Sequence, residues 1–461
     1  MGILNSVKTN NLGQDNIGKL LFKLALPAIT AQLINALYNI IDRMYIGHIP
    51  NNGALALTGV GISFPIILII SAFSALVGMG GAPLASIKLG EDDKKGAEKI
   101  LGNCFTLLLI LSIVLTTFFL IFKEKLLFMF GASTETITYA NSYLTIYLIG
   151  TIFVQISLGL NNFINSQGFA KISMATVLIG AALNIILDPI FIFAFKMGVK
   201  GAATATILSQ AVSALWVLKF LFGKKTTIKI RKEYLKINKK IILPVLALGI
   251  SPFIMQSTES LVQITLNSGL QKYGGDMYVG AMTIISSIMQ VISMPIIGLA
   301  QGAQPIIGFN YGAKKYERVK QTFKLLLISS LSFSVFAWII CIFTPKVFVI
   351  IFSNDPALTE LTIKSLKVFM FGVFMLGAQF ACQNTFLALG KAKISLFLAL
   401  LRKVILLIPL ALILPKFLQV KGIFIAEPIA DIIATITTCT VFFIKSKKIF
   451  SKENKMLDPN L

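Results

Sequence analysis

The strongest constraint on the fold is a series of apolar stretches, each about long enough to cross a lipid bilayer. A membrane-spanning helix needs roughly 20 mainly apolar residues, and such stretches begin near residues 23, 55, 100, 136, 172, 199, 241, 280, 322, 364, 394 and 422. Hydrophobic residues make up 56% of the 461 residues and charged residues only 13%, which excludes a soluble protein of this size. We therefore predict an all-α integral membrane protein with twelve membrane-spanning helices.

The two halves of the sequence repeat each other at a nearly constant offset. Ala170-Lys-Ile-Ser173 recurs as Ala392-Lys-Ile-Ser395, and Val199-Lys-Gly201 recurs as Val420-Lys-Gly422. A third set of matches shares glycine and proline: Gly80, Pro83 and Gly90 pair with Gly302, Pro305 and Gly312. Ordered matches of this kind indicate a duplicated transporter fold, and an even number of spans in each half gives both halves the same orientation. We expect two six-helix lobes related by a pseudo-two-fold axis along the membrane normal, with a cavity between them.

The net charge of +23 comes from Lys and Arg clusters between the apolar stretches, which indicates membrane topology rather than nucleic-acid binding. With both termini in the cytoplasm, inside segments carry roughly 29 cations and outside loops roughly 9, as the positive-inside rule requires. The densest cluster, Lys219 to Lys240, has nine. The predicted boundaries are an N-terminal lobe at 15–222, a cytoplasmic linker at 223–238, a C-terminal lobe at 239–447 and a cytoplasmic tail at 448–461.

Two carboxylates of the first half are predicted to lie at similar depths in the membrane. Asp42 is about 19 residues into the first span and Asp188 about 16 residues into the fifth, at roughly 1.5 Å of rise per residue. Asn184 lies one helical turn before Asp188, and Thr206 lies near the outer end of the sixth span. These hard oxygen atoms suit Na+ or a shared proton, because two close carboxylates cannot both ionise cheaply.

The alternative for Asp42 is structural, since it can cap the outer end of its helix and pair with the adjacent Arg43. Asp188 stands among apolar neighbours, where a charge costs several kcal/mol without a partner or a task. The second-half positions that match the two acids are Asn267 and Leu410. The acid pair therefore belongs to the first lobe only, an asymmetry that favours ion coupling, although drift after duplication also produces asymmetry.

A second acid, Glu259, lies near mid-depth of the seventh span, with no cationic partner expected within the spans. The polar, aromatic and thioether side chains that accompany it on the first and seventh spans are Gln32, Asn35, Tyr38, Met255 and Gln256. This combination suits a bulky organic cation. The alternative is a protonated acid that is hydrogen-bonded inside the lobe.

Three further charges lie in the last two spans. Arg402 in the eleventh span can pair with Glu427 or Asp431, which are one turn apart in the twelfth. We interpret this group as a structural ion pair.

Patterns typical of enzymes are missing from the sequence. It has no GxxxxGK[ST] loop and no GxSxG motif, and its one histidine, His48, excludes an HExxH zinc site. The four cysteines form no CxxC pair. We expect neither an enzyme nor a cofactor.

Several segments resemble the multidrug and toxic compound extrusion (MATE) transporters. "LALPAITAQLINALYNIIDRMYIGHI" and "ALALTGVGISFPI" resemble the first two helices of that family, "NIILDPIFIF" is similar to the fifth, and "GLAQGAQPIIGFNYGAKKYERVK" is similar to the motif after the eighth. The likeness covers nearly the whole chain and is closest to the bacterial branch with coupling acids in the first lobe. The other large branch carries an acid in its tenth helix, where this chain has Gln379, Gln383 and Asn384.

The resemblance implies export of cationic amphipathic drugs or toxins by alternating access, in exchange for inward Na+ or H+. It places Asp42, Asn184, Asp188 and Thr206 at ion-binding positions. It also implies a multi-pass protein of the bacterial cytoplasmic membrane, in contact with lipid, and we expect a monomer because both lobes lie in one chain. The runner-up is a flippase for a lipid-linked sugar precursor, which needs a strongly cationic cavity, whereas Arg402 is the one clear intramembrane cation expected here. One-sided acids on a duplicated fold favour a carrier over a channel.

Overall fold

A computed structural model describes residues 12–50, 53–130, 132–350 and 356–450. The spanning helices are α1 (Ile17–Gly47), α2 (Gly53–Gly90), α3 (Lys94–Met129), α4 (Ile137–Ile149 and Thr151–Ser166), α5 (Ala170–Pro189, continued by a π-helical turn at Ile190–Ala194), α6 (Val199–Phe222), α7 (Lys239–Gly274), α8 (Asp276–Gly312), α9 (Tyr316–Phe343), α10 (Pro356–Ala388), α11 (Ala392–Leu418) and α12 (Val420–Phe450). A 3-10 turn, Lys232–Tyr234, lies between α6 and α7, and a short helix, Pro345–Ile350, lies between α9 and α10.

The predicted number of membrane spans is confirmed. Eleven helices of the described residues are long and apolar enough to cross a bilayer, and the two segments of α4, bent by 59° at Gly150, form the twelfth span. Helices α10 and α11 are irregular, with a 3-10 segment at Met370–Met375 and a π-helical segment at Leu401–Leu407. The protein is therefore an all-α, multi-pass membrane protein.

The duplication is visible in the backbone as well as in the sequence. Residues with a left-handed backbone recur at matching positions of the two halves: Asp92 with Lys314, Gly168 with Gly390, and Gly198 with Gln419. Each pair lies in a connection between equivalent helices. The same turns therefore follow the same helices in both halves.

The chain divides into two compact units whose boundaries differ from the predicted ones. Within the described residues, unit 1 holds Thr30–Phe253, and unit 2 holds Leu12–Ile29 together with 254–450. The predicted lobes, 15–222 and 239–447, follow the sequence repeat instead. The first part of α1 thus joins the unit of the second half, and the first part of α7 joins the unit of the first half.

Close helix packing explains this exchange. A side chain at Gly80 would clash with the Val245 carbonyl oxygen, so α2 and α7 touch backbone to backbone in unit 1. In unit 2, a Cβ added at Gly302 would lie 2.6 Å from the Ala25 Cα atom. Small residues permit such approaches between membrane helices. The first parts of α1 and α7 are therefore fixed by glycines of α8 and α2.

The segment between α6 and α7 is bonded to unit 1 by buried polar side chains. Glu98 of α3 accepts a hydrogen bond from Arg231 at 2.6 Å, and the Gln167 side-chain oxygen accepts one from the Ile228 amide at 3.0 Å. Asn103 accepts another from the Asn238 amide at 2.7 Å. The bonds from Ile228 and Asn238 satisfy backbone amides of the non-helical segment.

Candidate functional site

The carboxyl groups of Asp42 and Asp188 are close neighbours inside unit 1 and interact with each other electrostatically. Both are buried, and Asp188 is 0% exposed. The Asn184 amide nitrogen donates to Asp188 Oδ1 and to Thr206 Oγ1, each at 3.3 Å. The structure therefore brings together the four residues that the sequence proposed as an ion site, and their role in binding an ion stays a prediction.

Helix α5 presents Asn184 and Asp188 on one face because they are four residues apart. Pro189 follows directly and cannot donate a hydrogen bond to the preceding turn. The helix continues as the π-helical turn Ile190–Ala194. Such turns often occur at functional sites in helices, and this one marks the end of the acid-bearing segment.

Three buried oxygen atoms of this cluster have no hydrogen-bond donor: Asp42 Oδ1, Asn184 Oδ1 and Asp188 Oδ2. Within the described part of the chain, neither acid forms a salt bridge, and the Arg43 guanidinium instead lies 5.0 Å from the centroid of the Phe64 ring. Two facing carboxyl groups repel each other unless they hold a proton or a cation. The arrangement thus leaves a place for one.

Tyrosines surround the carboxyl pair, and two of them were missed by the sequence reasoning. Tyr38 and Tyr143 lie beside Thr206 and Asp42, and Tyr147 stacks on Tyr143 with ring centroids 6.3 Å apart. The signal was present, because two tyrosines four residues apart in an apolar span share one helix face. Their hydroxyl groups add further oxygen atoms near the acids.

A cavity of about 50 Å³ opens beside the cluster in unit 1. Polar side chains of four helices line it, among them Asn35, Tyr38, Asn161, Asn184, Thr206 and Gln210. A space of this size holds water molecules or a small ion. It connects two residues predicted to contact substrate, Asn35 and Tyr38, with two predicted to bind the ion.

The prediction that Glu259 has no cationic partner is wrong. In unit 2, Lys403 of α11 forms an ion pair with the Glu259 carboxylate of α7 and donates to the Met255 carbonyl oxygen at 3.1 Å. Lys403 is buried, whereas the Glu259 side chain is 53% exposed. The expectation of one intramembrane cation is wrong for the same reason, since Lys403 adds a second.

Lys403 lies beside Arg402 in the π-helical segment Leu401–Leu407. Adjacent residues of a helix point in different directions, and the two cations accordingly meet different helices: Arg402 pairs with acids of α12, and Lys403 pairs with an acid of α7. The sequence pointed to Arg402 as the one clear intramembrane cation, and Lys403 was overlooked.

The predicted ion pair of Arg402 is present in full. Its guanidinium bonds Asp431 at 2.6 Å and Glu427 at 3.3 Å, both on α12. Asp431 is 1% exposed, and its second oxygen has no donor. The group is a buried structural pair in which one cation serves two acids.

The six predicted substrate residues are divided equally between the units. Gln32, Asn35 and Tyr38 lie on the part of α1 that belongs to unit 1, and Met255, Gln256 and Glu259 lie on the part of α7 that belongs to unit 2. The Met255 sulfur accepts a hydrogen bond from the Gln383 amide at 3.2 Å. Their contact with substrate stays a prediction.

A family model described as MatE matches residues 27–190 and 252–413. These two stretches begin at Pro27 and Pro252 and together cover more than half of the chain. The chain belongs to the MATE family. The matched stretches of this MATE transporter include Asp42 and Asp188 in the first half and Glu259 and Lys403 in the second.

Similar MATE proteins match this chain over nearly its whole length. The multidrug export protein MepA of Staphylococcus haemolyticus is 26% identical over 444 residues, which are 96% of this chain and 95% of that protein. A solved structure described as the MATE multidrug transporter DinF-BH, in complex with a small molecule, is 35% identical, with a TM-score of 0.89 over 96% of this chain and 99% of that chain. A crystal structure of a MATE protein in a bent conformation, 24% identical with a TM-score of 0.90, covers 96% of this chain and 99% of that chain and shares the fold.

Proposed function

We propose that this MATE protein is a multidrug exporter of the bacterial cytoplasmic membrane, which moves cationic amphipathic compounds outward in exchange for inward H+ or Na+. It works by alternating access, with both termini in the cytoplasm. The observation that carries the proposal is the contact between Asp42 and Asp188 in the absence of a paired basic side chain among the described residues.

The carboxyl pair supplies the chemistry of coupling. One proton shared between the two groups, or one Na+ bound by their oxygen atoms with those of Asn184 and Thr206, removes the repulsion between them. Asp42 belongs to α1 and Asp188 to α5, so the ion draws these helices together. Loss of the ion lets them separate.

Similarity to known proteins supports the proposed substrate class. The Staphylococcus relatives are named multidrug export proteins, and the 35% identical structure is that of a multidrug transporter with a small molecule bound. The cavity lined by Asn35, Tyr38, Asn184 and Thr206 supports the proposal that substrate and ion bind close to each other. A substrate that contacts Asn35 or Tyr38 at the edge of this cavity changes the cost of binding the ion, which is the coupling that an exchanger requires.

Two ligands drive alternating access if they prefer different facings of the transporter. Ion binding from outside favours the facing that releases drug, and drug binding from inside favours the other. The half-exposed carboxylate of Glu259, with Met255 and Gln256 on the same helix, attracts the positive charge of the drug.

Transport in vesicles tests this proposal. Purified protein is reconstituted with an imposed Na+ gradient, an imposed H+ gradient or neither, and ethidium movement is followed by fluorescence. We expect movement with one gradient only, which identifies the ion. Vesicles without protein, and vesicles with the gradient collapsed by an ionophore, are the controls.

Absence of ethidium movement under either gradient, in protein that still unfolds cooperatively on heating, would contradict the exporter proposal. The flippase alternative would then be tested with a fluorescent lipid pyrophosphate. We expect that lipid to remain in its leaflet, because Arg402 and Lys403 are both occupied by acids.

A further inference from the structure

We propose that Lys403 is a built-in counter-ion of the substrate site, which a cationic substrate displaces from Glu259 and which then moves to Glu427. Substrate binding in unit 2 is thus an exchange of ion pairs rather than the filling of an empty acidic pocket. The inference deepens the proposed function and rests on it, since it specifies how a cationic drug is recognised.

The charges of the network in unit 2 do not balance. Its basic residues are Arg402 and Lys403, and its acids are Glu259, Glu427 and Asp431. With every group ionised, the network carries one surplus negative charge. Buried charges are costly unless they are paired, so the network is best balanced when it accepts one additional positive charge.

The surplus negative charge lies at the end of the network away from Glu259. Arg402 is shared by two acids. Asp431 lies at 2.6 Å, and Glu427 lies farther away, at 3.3 Å, and is therefore bound more weakly. Lys403 and Glu259 both act electrostatically on Glu427. Glu427 is therefore the under-neutralised acid, and Lys403 is the second basic residue of the network that acts on it.

Lys403 is attached to α7 at two points one helical turn apart, the Met255 carbonyl and the Glu259 carboxylate. Lysine suits an exchange because its ammonium group is a compact charge on a flexible stem, whereas the rigid guanidinium of Arg402 holds its acids in a fixed geometry. The lysine end of the network can therefore move while the arginine end remains in place.

The exposure of Glu259 supplies the entry point. Its side chain is 53% exposed, while Lys403 is buried. An organic cation can approach the carboxylate from the open side and compete with Lys403 for it. When Lys403 leaves, Glu427 gains the cation that it lacks, so the displaced charge is again paired.

The exchange predicts selectivity for charge. A monocation restores neutrality, a neutral compound cannot release Lys403, and the cost of displacing Lys403 reduces the affinity for every cation. The effect of Glu427 on binding must then depend on Lys403, although Glu427 itself does not touch the substrate.

Equilibrium binding of ethidium to detergent-purified protein, without any ion gradient, tests the exchange. Lys403→Met removes the competing cation, and we expect ethidium to bind at least tenfold more tightly. Lys403→Arg keeps the competing charge but holds Glu259 in a more rigid geometry, so ethidium should bind no more tightly than to the unchanged protein. Glu427→Gln keeps the shape but removes the acid that receives Lys403, and should weaken binding at least tenfold.

A double-mutant cycle separates exchange from a general charge effect. In a protein that already carries Lys403→Met, Glu427→Gln should change ethidium affinity less than twofold, because no lysine remains to be received. Lys123→Met is the matched control, since Lys123 of unit 1 is half-buried and bonds the Thr145 hydroxyl rather than an acid. Lys123→Met should leave the affinity for ethidium unchanged. None of the variants should change the affinity for the neutral dye Nile red.

Equal ethidium affinity in Lys403→Met and in the unchanged protein would overturn the inference, and so would additive effects of Lys403→Met and Glu427→Gln. Gradient-driven transport by the unchanged protein would in that case still support the exporter. If the cycle behaves as expected but no gradient drives ethidium movement, the exchange stands as a binding mechanism and the exporter proposal fails.

Discussion

In unit 1 the acids of α1 and α5 face each other without a basic partner, whereas in unit 2 the acids of α7 and α12 are paired with two basic residues of α11. The first arrangement leaves three buried oxygen atoms without donors, Asp42 Oδ1, Asn184 Oδ1 and Asp188 Oδ2. In the second network, the buried oxygen without a donor is that of Asp431. Within the described residues, the acid pair of one unit has no basic partner, whereas the other unit supplies most of its own counter-charge.

The sequence repeat shows how this difference arose on one backbone. Asp188 and Asn184 match Leu410 and Leu406 at the offset of α5 and α11, whereas Thr206 matches Glu427 at the offset of α6 and α12. The turns at Gly168 and Gly390 keep the same left-handed backbone. The helices and turns were retained after duplication, while the polar side chains inside the two units diverged.

This divergence separates two tasks. A carboxyl pair without a basic residue has a strong demand for a small ion, while a nearly neutral network responds to a single added charge. We connect the first with the coupling ion and the second with the drug.

Removal of Arg402 should have the largest effect on stability. Arg402→Met leaves Asp431 and Glu427 buried without their cation, and breaking a buried pair in this way costs about 3–5 kcal/mol. Thermal unfolding of the purified protein measures the loss. Arg43→Met is the control, because Arg43 packs on an aromatic ring and is exposed. Equal stability of Arg402→Met and the unchanged protein would show that unit 2 does not depend on its internal pairing.

Close packing is the feature that the units share, so equivalent glycines should respond alike. Gly80→Ala and Gly302→Ala each force a Cβ into backbone or Cβ atoms of the neighbouring helix, at a cost of about 1–3 kcal/mol. Gly61→Ala is the matched control in α2, since no atom lies within 4 Å of its added Cβ. A large loss at one glycine and none at the other would mean that the packing is not common to both units.

Neutralising an acid should act in opposite directions in the two units. Asp188→Asn removes the repulsion with Asp42 and adds an amide donor, so stability should stay equal or rise by about 1 kcal/mol. Asp431→Asn removes the closest partner of Arg402 and should lower the stability of the protein. Unfolding midpoints of both variants provide the comparison, and destabilisation by Asp188→Asn as large as that by Asp431→Asn would contradict our account of unit 1.

The smallest expected effect concerns the start of α3. Asp93 caps this helix by accepting from the Gly96 amide at 2.8 Å, whereas its counterpart at the start of α9, Lys315, makes no such side-chain bond. Asp93→Ala should cost about 0.5 kcal/mol, the low end for a lost cap. Lys95→Ala in the same turn is the control.

The cap should also depend on pH. The Gly96 amide, followed by Lys88, lowers the pKa of Asp93 below its ordinary value. Its stabilising effect is therefore present above the ordinary titration range of an aspartate and is lost as the pH falls through the lowered pKa. A difference between Asp93→Ala and the unchanged protein that persists in strong acid would contradict the assignment.

The sequence was sufficient for the spans, the repeat and the proximity of the acid pair. Length and apolar composition determine spans, and rise per residue places Asp42 and Asp188 at one depth. The assignment of the first parts of α1 and α7 to the opposite units was not predictable in the same way. It depends on which helix approaches Gly80 and Gly302, and this requires three-dimensional packing.

Lys403 shows a second limit of sequence reasoning. Its position beside Arg402 gives it a different helix face, and in the structure that face meets Glu259 of α7, whereas Arg402 meets the acids of α12. Which helix lies opposite each face of α11 depends on three-dimensional packing and is not encoded in the spacing of residues along one span.

The most direct test of coupling by the carboxyl pair compares transport and binding in Asp42→Asn and Asp188→Asn, with Asp92→Asn in the exposed turn before α3 as the control. Ethidium accumulation in vesicles under the effective gradient and ethidium affinity without a gradient are measured for each protein. We predict that both pair variants lose accumulation and bind ethidium within twofold of the unchanged protein, while Asp92→Asn retains both properties. Accumulation by both pair variants at the rate of the unchanged protein would contradict the account.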